Sequence, residues 1–226
     1  MNWNNYFKTS IGKKILVGAT GLFLTIFLVV HCYVNAMVFW PDTVPGKHFT
    51  DAAAFMGGFA AIRIVEIGLF AALIIHIVQA LILVRQNISR RSVGYAVSAG
   101  NATSKWYSRS MGLLGTLILM FLILHLYHFW GPNRYGQAFS ASWKEDDLYN
   151  NMKTTFSELW VVVVYVLACI SLAWHLMHGF YSSFQTFGLA THRYKGCIRV
   201  LGVAFSIIIP LIFATMPIAF YMQWVR

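Results

Sequence analysis

Five stretches of this chain are each long and apolar enough to cross a bilayer, at about residues 15–40, 56–84, 111–130, 159–181 and 200–224, a span needing roughly 20 apolar residues. No other feature constrains the fold as strongly. In hydrocarbon every backbone N–H and C=O must be satisfied inside the protein, so only helices and closed barrels cross. Barrel strands are short and alternate apolar with polar residues. These runs are longer and apolar on all sides, and they read as helices. The expected fold is therefore an all-α membrane protein, a single domain over residues 1–226. Composition agrees: charged residues make up 11% of the chain, against roughly 25% in soluble domains.

The net charge of +10 does not point to nucleic acid, because the basic residues fall in short segments between apolar runs. Lys8, Lys13, Lys14, Arg85, Arg90, Arg91, Lys105, Arg109, Arg193, Lys195 and Arg199 lie on one side. Lys47, Arg134, Lys144, Lys153 and Arg226 lie on the other, with Asp42, Asp51, Glu145, Asp146, Asp147 and Glu158. The positive-inside rule then puts the N-terminus in the cytoplasm and the C-terminus outside. Trp40, Trp130, Trp160 and Trp224 fall near the outer ends of runs, as an interfacial aromatic belt would. The N-terminal apolar run is too long for a signal peptide and is read as a retained first helix. Cys32, Cys169 and Cys197 have no metal or redox spacing. Pro210 and Pro217 are expected to kink the fifth helix.

Six of the eight histidines lie inside apolar runs: His31, His76, His125, His128, His175 and His178. Ionisable groups at membrane depth mark sites by default. A rise of 1.5 Å per residue puts His31 about 26 Å, and His125 about 24 Å, from the cytoplasmic ends of their helices. His76 and His175 come out at about 14 Å and 12–15 Å from the same side. The four fall into two layers, His31 with His125 and His76 with His175. Two imidazoles from different helices at one depth can supply both axial ligands of a haem iron in a bundle core, so the chain is expected to be a di-haem helical bundle. Bis-histidine ligation leaves no open position for oxygen and suits electron transfer. With no C-x-x-C-H string, covalent haem attachment is not expected.

Spacing alone leaves His125 and His128, and His175 and His178, as i, i+3 alternatives; the extra ring of each pair is a candidate for a haem propionate, a quinone or a backbone group. Arg63 and Glu66 also stand i, i+3 and can pair with each other. Otherwise Arg63 would reach a haem propionate, and Glu66 a proton path beside a quinone. Gly12, Gly18, Gly21, Gly112 and Gly115 can admit a close helix or a haem. His48 and His192 read as solvated loop residues.

Four strings, GLFLTIFLVVHCYVN (21–35), IIHIVQALIL (74–83), LILHLYHF (122–129) and WHLMHGFYSSFQTFG (174–188), resemble the cytochrome b558 family, the di-haem membrane anchors of type B succinate dehydrogenases and fumarate reductases. The likeness covers nearly the whole chain. It implies two haem b groups, with His31 and His125 on the outer iron and His76 and His175 on the inner. The four-residue spacing from His175 to Gly179, which the family shows, favours His175 over His178, and the third string favours His125 over His128. The resemblance further implies a flavoprotein subunit, an iron–sulfur subunit and a quinone, usually menaquinone, as partners in a bacterial cytoplasmic membrane. The chain alone would hold no site for succinate. The cytochrome b of a hydrogenase or formate dehydrogenase, and a proton-coupled transporter, are the alternatives from residue pattern alone.

Overall fold

The computed structural model describes residues 9–89, 105–136 and 148–225. Of the charges used above for orientation, Lys8, Arg90, Arg91, Lys144, Glu145, Asp146, Asp147 and Arg226 lie outside them. The described residues form helices and turns with no strand, and five helices are long and apolar enough to cross a membrane.

The first span, α1 (Ser10–Ala36), begins earlier than the apolar run. Thr9 caps it, its hydroxyl accepting the Gly12 N–H at 3.0 Å, and the long side chains of Lys13 and Lys14 suit a helix end that reaches the interface. A 3₁₀ turn at Met37–Phe39 ends the span. A short helix, α2 (Lys47–Gly58), follows outside it. The second span, α3 (Ala60–Ser89), starts only at Ala60, because Gly57 and Gly58 weaken the helix and Phe59 is extended at φ −86° and ψ 119°. The expected start near residue 56 thus belongs to α2.

After the one-turn helix α4 (Trp106–Arg109) comes the third span, α5 (Met111–His125). It passes through a wide π turn at Leu126–Trp130 into α6 (Gly131–Tyr135). A short helix, α7 (Leu148–Thr155), precedes the fourth span, α8 (Leu159–Thr186). That span stops at Gly188, whose φ of +71° is a left-handed turn that glycine adopts without cost; the Leu189 N–H returns to the Phe184 carbonyl at 2.9 Å. The fifth span, α9 (Lys195–Tyr221), runs unbroken through Pro210 and Pro217.

The fourth span is the hub, packed against the first, third and fifth, whereas the second packs chiefly on the first. No residue of α3 is buried. Ile64, Ile67, Leu113, Met120, Ile123, Ile170, Val200 and Leu211 point outward, as they should toward lipid. The densest core sits at one end, where α2 and α7 cap the bundle: Val38, Phe49, Tyr149, Met152, Phe156, Val161, Tyr165, Met216 and Phe220 interlock there. We call this the cap end. At the opposite, basic end stand Lys13, Lys14, Arg85, Lys105, Arg109, Arg193, Lys195 and Arg199.

Candidate functional site: two histidine pairs in the bundle

The bundle brings four span histidines together as two couples. His31 on α1 faces His125 on α5 with ring centroids 5.8 Å apart. His76 on α3 faces His175 on α8 at 6.3 Å. The first couple lies toward the cap end and the second toward the basic end, as the positions along each helix require. Two imidazoles sharing one metal ion have centroids about 6 Å apart, given metal–nitrogen bonds of about 2 Å. Both couples match that separation.

The cap-end pair is set in rings. Phe27 stacks on His31 at 5.1 Å and Phe213 lies at 5.5 Å. Around His125 stand Phe121 at 5.6 Å, Phe129 at 5.4 Å and Tyr165 at 6.1 Å. The Asn35 amide donates to the His31 carbonyl at 2.8 Å and lies 3.3 Å from its Nδ1.

The basic-end pair is set among small and hydroxyl residues. His76 Nδ1 lies 3.2 Å from the Val17 carbonyl and 3.2 Å from Thr20 Oγ1. A carbonyl can only accept, so Nδ1 carries the proton and Nε2 keeps its lone pair, the tautomer a metal-binding histidine takes. The Thr20 hydroxyl spends its own proton on the Leu16 carbonyl at 2.7 Å, which leaves its oxygen free to accept. Gly21 and Gly115 flank the pair. A Cβ on Gly21 would sit 3.3 Å from His76 Cε1 and 3.6 Å from Ser183 Oγ, and one on Gly115 would sit 3.8 Å from His175 Cε1.

His125 Nδ1, His175 Nδ1 and Gln79 Oε1 are buried without a hydrogen-bond partner among the described residues. Buried polar atoms are rarely left so, and one ring of each histidine couple keeps an Nδ1 that no described protein group satisfies. Among the described residues no three His, Cys, Asp or Glu side chains cluster as a metal site would need. Two protein nitrogens per site suit a metal that arrives with its remaining ligands already in place, which is what a porphyrin supplies. The donor set therefore fits haem.

The other histidines separate. His128 stacks on Tyr165, with an interplanar angle of 10° and centroids 6.0 Å apart, and its Nδ1 is hydrogen-bonded to Tyr165 Oη at 3.1 Å. The ring of His178, one turn beyond His175, has no hydrogen-bond partner among the described residues. His192 lies in the loop before α9. His48 is not simply solvated: its ring and its backbone N–H both bond Asp42, the latter at 3.0 Å. These bonds, the backbone one foremost, hold the Asp42 carboxyl below the usual carboxylate range.

Arg63 and Glu66 lie in the first two turns of α3, at the cap end rather than mid-membrane. Arg63 donates to Glu66 at 3.0 Å, and Trp130 Nε1 donates to the other carboxylate oxygen at 2.8 Å. Trp130 in turn packs on Phe70 at 4.9 Å and Tyr135 at 5.7 Å. Glu66 thus ties the second span to the third, across a seam where the two helices make little other contact. Sequence reasoning did not single out Tyr165, Thr20, Asn151 or the Trp130–Glu66 bond. Pro132 was the one available signal that the third span would change register.

No family model, curated protein or solved structure matches the chain.

Proposed function

We propose that this protein is a di-haem cytochrome b, the membrane anchor and electron-transfer subunit of a succinate:quinone oxidoreductase. The observation that carries the haem reading is the pair of histidine couples, each joining two spans, 5.8 and 6.3 Å between centroids. His31 and His125 would hold one haem b, and His76 and His175 the other. Bound there, each iron would shuttle a single electron between its ferrous and ferric states, giving two redox stations across the membrane.

The chain's own residues set the terms of that transfer. Two histidines at each site would hold the group from the protein side and would leave no open position for oxygen. Val17 and Thr20 hold the His76 ring in the tautomer that ligates through Nε2. Phe27, Phe121, Phe129 and Phe213 exclude water around the cap-end pair. Glu66, held between Arg63 and Trp130, would be the candidate carboxylate for proton exchange with a quinone at the cap end.

The choice of complex rests on the four strings that resemble the cytochrome b558 anchors. It brings a flavoprotein and an iron–sulfur subunit as partners, and menaquinone as the acceptor or donor. The basic end suits the cytoplasmic face of a bacterial membrane, with the N-terminus inside.

The test is spectroscopic. Protein purified in mild detergent from haem-replete cells should show a b-type alpha band in a reduced-minus-oxidised spectrum, with two haems per chain by pyridine haemochromogen assay. A colourless preparation would defeat the proposal. Co-purification of a covalent or tightly bound flavin with the complex should follow; its absence, with haem present, would redirect the assignment to another oxidoreductase's cytochrome b.

A further inference from the structure

His125 and His128 are three residues apart on one span, and an α-helix would keep both near one face. At about 100° per residue the two would stand only about 60° apart around the axis. The structure does otherwise. From Leu126 to Trp130 the chain takes a π turn, in which each residue advances by only about 80° and the separation opens to roughly 120°. His125 faces His31, and His128 faces Tyr165 on α8.

The cause lies four residues on. In an α-helix the His128 carbonyl would accept from residue 132, but that residue is Pro132, which has no N–H and whose ring collides with the carbonyl four positions back. A proline alone does not force a wide turn, since α9 continues through Pro210 and Pro217. What differs here is a replacement donor from outside the helix. Asn151, on the capping helix α7, donates its side-chain amide to the freed His128 carbonyl at 3.1 Å. Tyr165 then takes the His128 ring by stacking and a hydrogen bond.

We infer that Pro132 and Asn151 are positioning residues that fix this register, so that His125 alone is offered to His31 while His128 is held aside by Tyr165. This deepens the haem reading, because it decides which of two neighbouring histidines can reach the cap-end iron. It also makes the outer segment of α7, remote in sequence from the third span, part of what sets the ligand.

Two measurements on the purified chain decide it. With Cys197→Ser as background, spin labels placed through Met120→Cys and Asn133→Cys bracket the turn from exposed positions. Pro132→Ala, which lets the helix regain α register, should shift the inter-label distance distribution. Asn151→Leu should shift or broaden it in the same direction, and serves if the proline variant folds poorly. An unchanged distribution in both would overturn the inference. In haem-loaded protein the same two variants should move the EPR signature and midpoint potential of the cap-end haem while leaving those of the basic-end haem in place; equal shifts in both haems would mark a general loosening and overturn the positioning role. A colourless wild type would defeat the haem reading alone, and the label distances would still decide the register.

Discussion

The two histidine pairs share one spacing and are built from opposite materials. The cap-end pair sits in an aromatic shell that is continuous with the densest core, so Phe121, Phe129 and Phe156 all meet Tyr165, and Tyr165 meets both His125 and His128. Among the described residues the basic-end pair has no such shell. It rests on Gly21 and Gly115, with Thr20 and the Val17 carbonyl fixing one ring. Ring packing dominates around the first pair, and in the second hydrogen bonds orient His76. A site held by bulk should tolerate loss of a polar contact, and one held by polar contacts and small residues should not tolerate bulk.

On the proposed haem reading, replacing one of the paired histidines is the harshest way to test this contrast. His31→Ala or His125→Ala should remove one haem of two and leave the basic-end spectrum intact, and His76→Ala or His175→Ala should do the reverse. His125→Ala is the sharper case, because His128 is only three residues away; a retained cap-end haem would show that His128 can substitute. Next comes bulk at the small-residue site. Gly21→Leu should displace His76 and abolish or strongly shift the basic-end signal, with the cap-end haem unchanged. A full and unshifted haem complement there would erase the distinction between the pairs.

Truncating the shell acts on stability as well as on the site. Phe156→Ala removes a ring only 3% exposed, and should cost about 3 kcal/mol, read as a lower thermal midpoint in detergent and a more labile cap-end haem. Thr20→Val is milder, at about 1 kcal/mol for one hydrogen bond. It should shift the midpoint potential of the basic-end haem alone, since the Val17 carbonyl remains. The smallest effect is expected at Asp42, outside the spans. Its carboxyl titrates lower in the folded protein than in the unfolded chain. The stability it adds is therefore present above the ordinary carboxylate range and fades as pH falls through the lowered value. Asp42→Asn should flatten that acid limb of the melting profile, and neither haem spectrum should change.

Much of this was legible before any coordinates. Five apolar runs gave five spans, because bilayer thickness fixes how many apolar residues a crossing needs. A constant rise per residue put His31 level with His125 and His76 level with His175, and those are the rings that meet. The edges were less legible. Apolarity alone carried the second run into Met56, whereas two glycines and the extended Phe59 start α3 at Ala60. The capping helices α2 and α7 leave no such mark in the sequence, since neither is apolar enough to register as a buried element. Their burial comes from a few residues, Phe49, Tyr149 and Met152, that meet only in the fold.

Depth along a membrane helix is a one-dimensional quantity, a count of residues from a charged end, and the sequence determined it without help. The angle around each helix axis is not such a quantity. It depends on which neighbours a helix meets and on any local change of register. The pairing of Glu66 with Trp130, the seating of His128 on Tyr165 and the amide of Asn151 on the His128 carbonyl join residues 23 to 64 positions apart. Only the packed bundle could settle them, because each is a contact between surfaces that sequence order does not bring together.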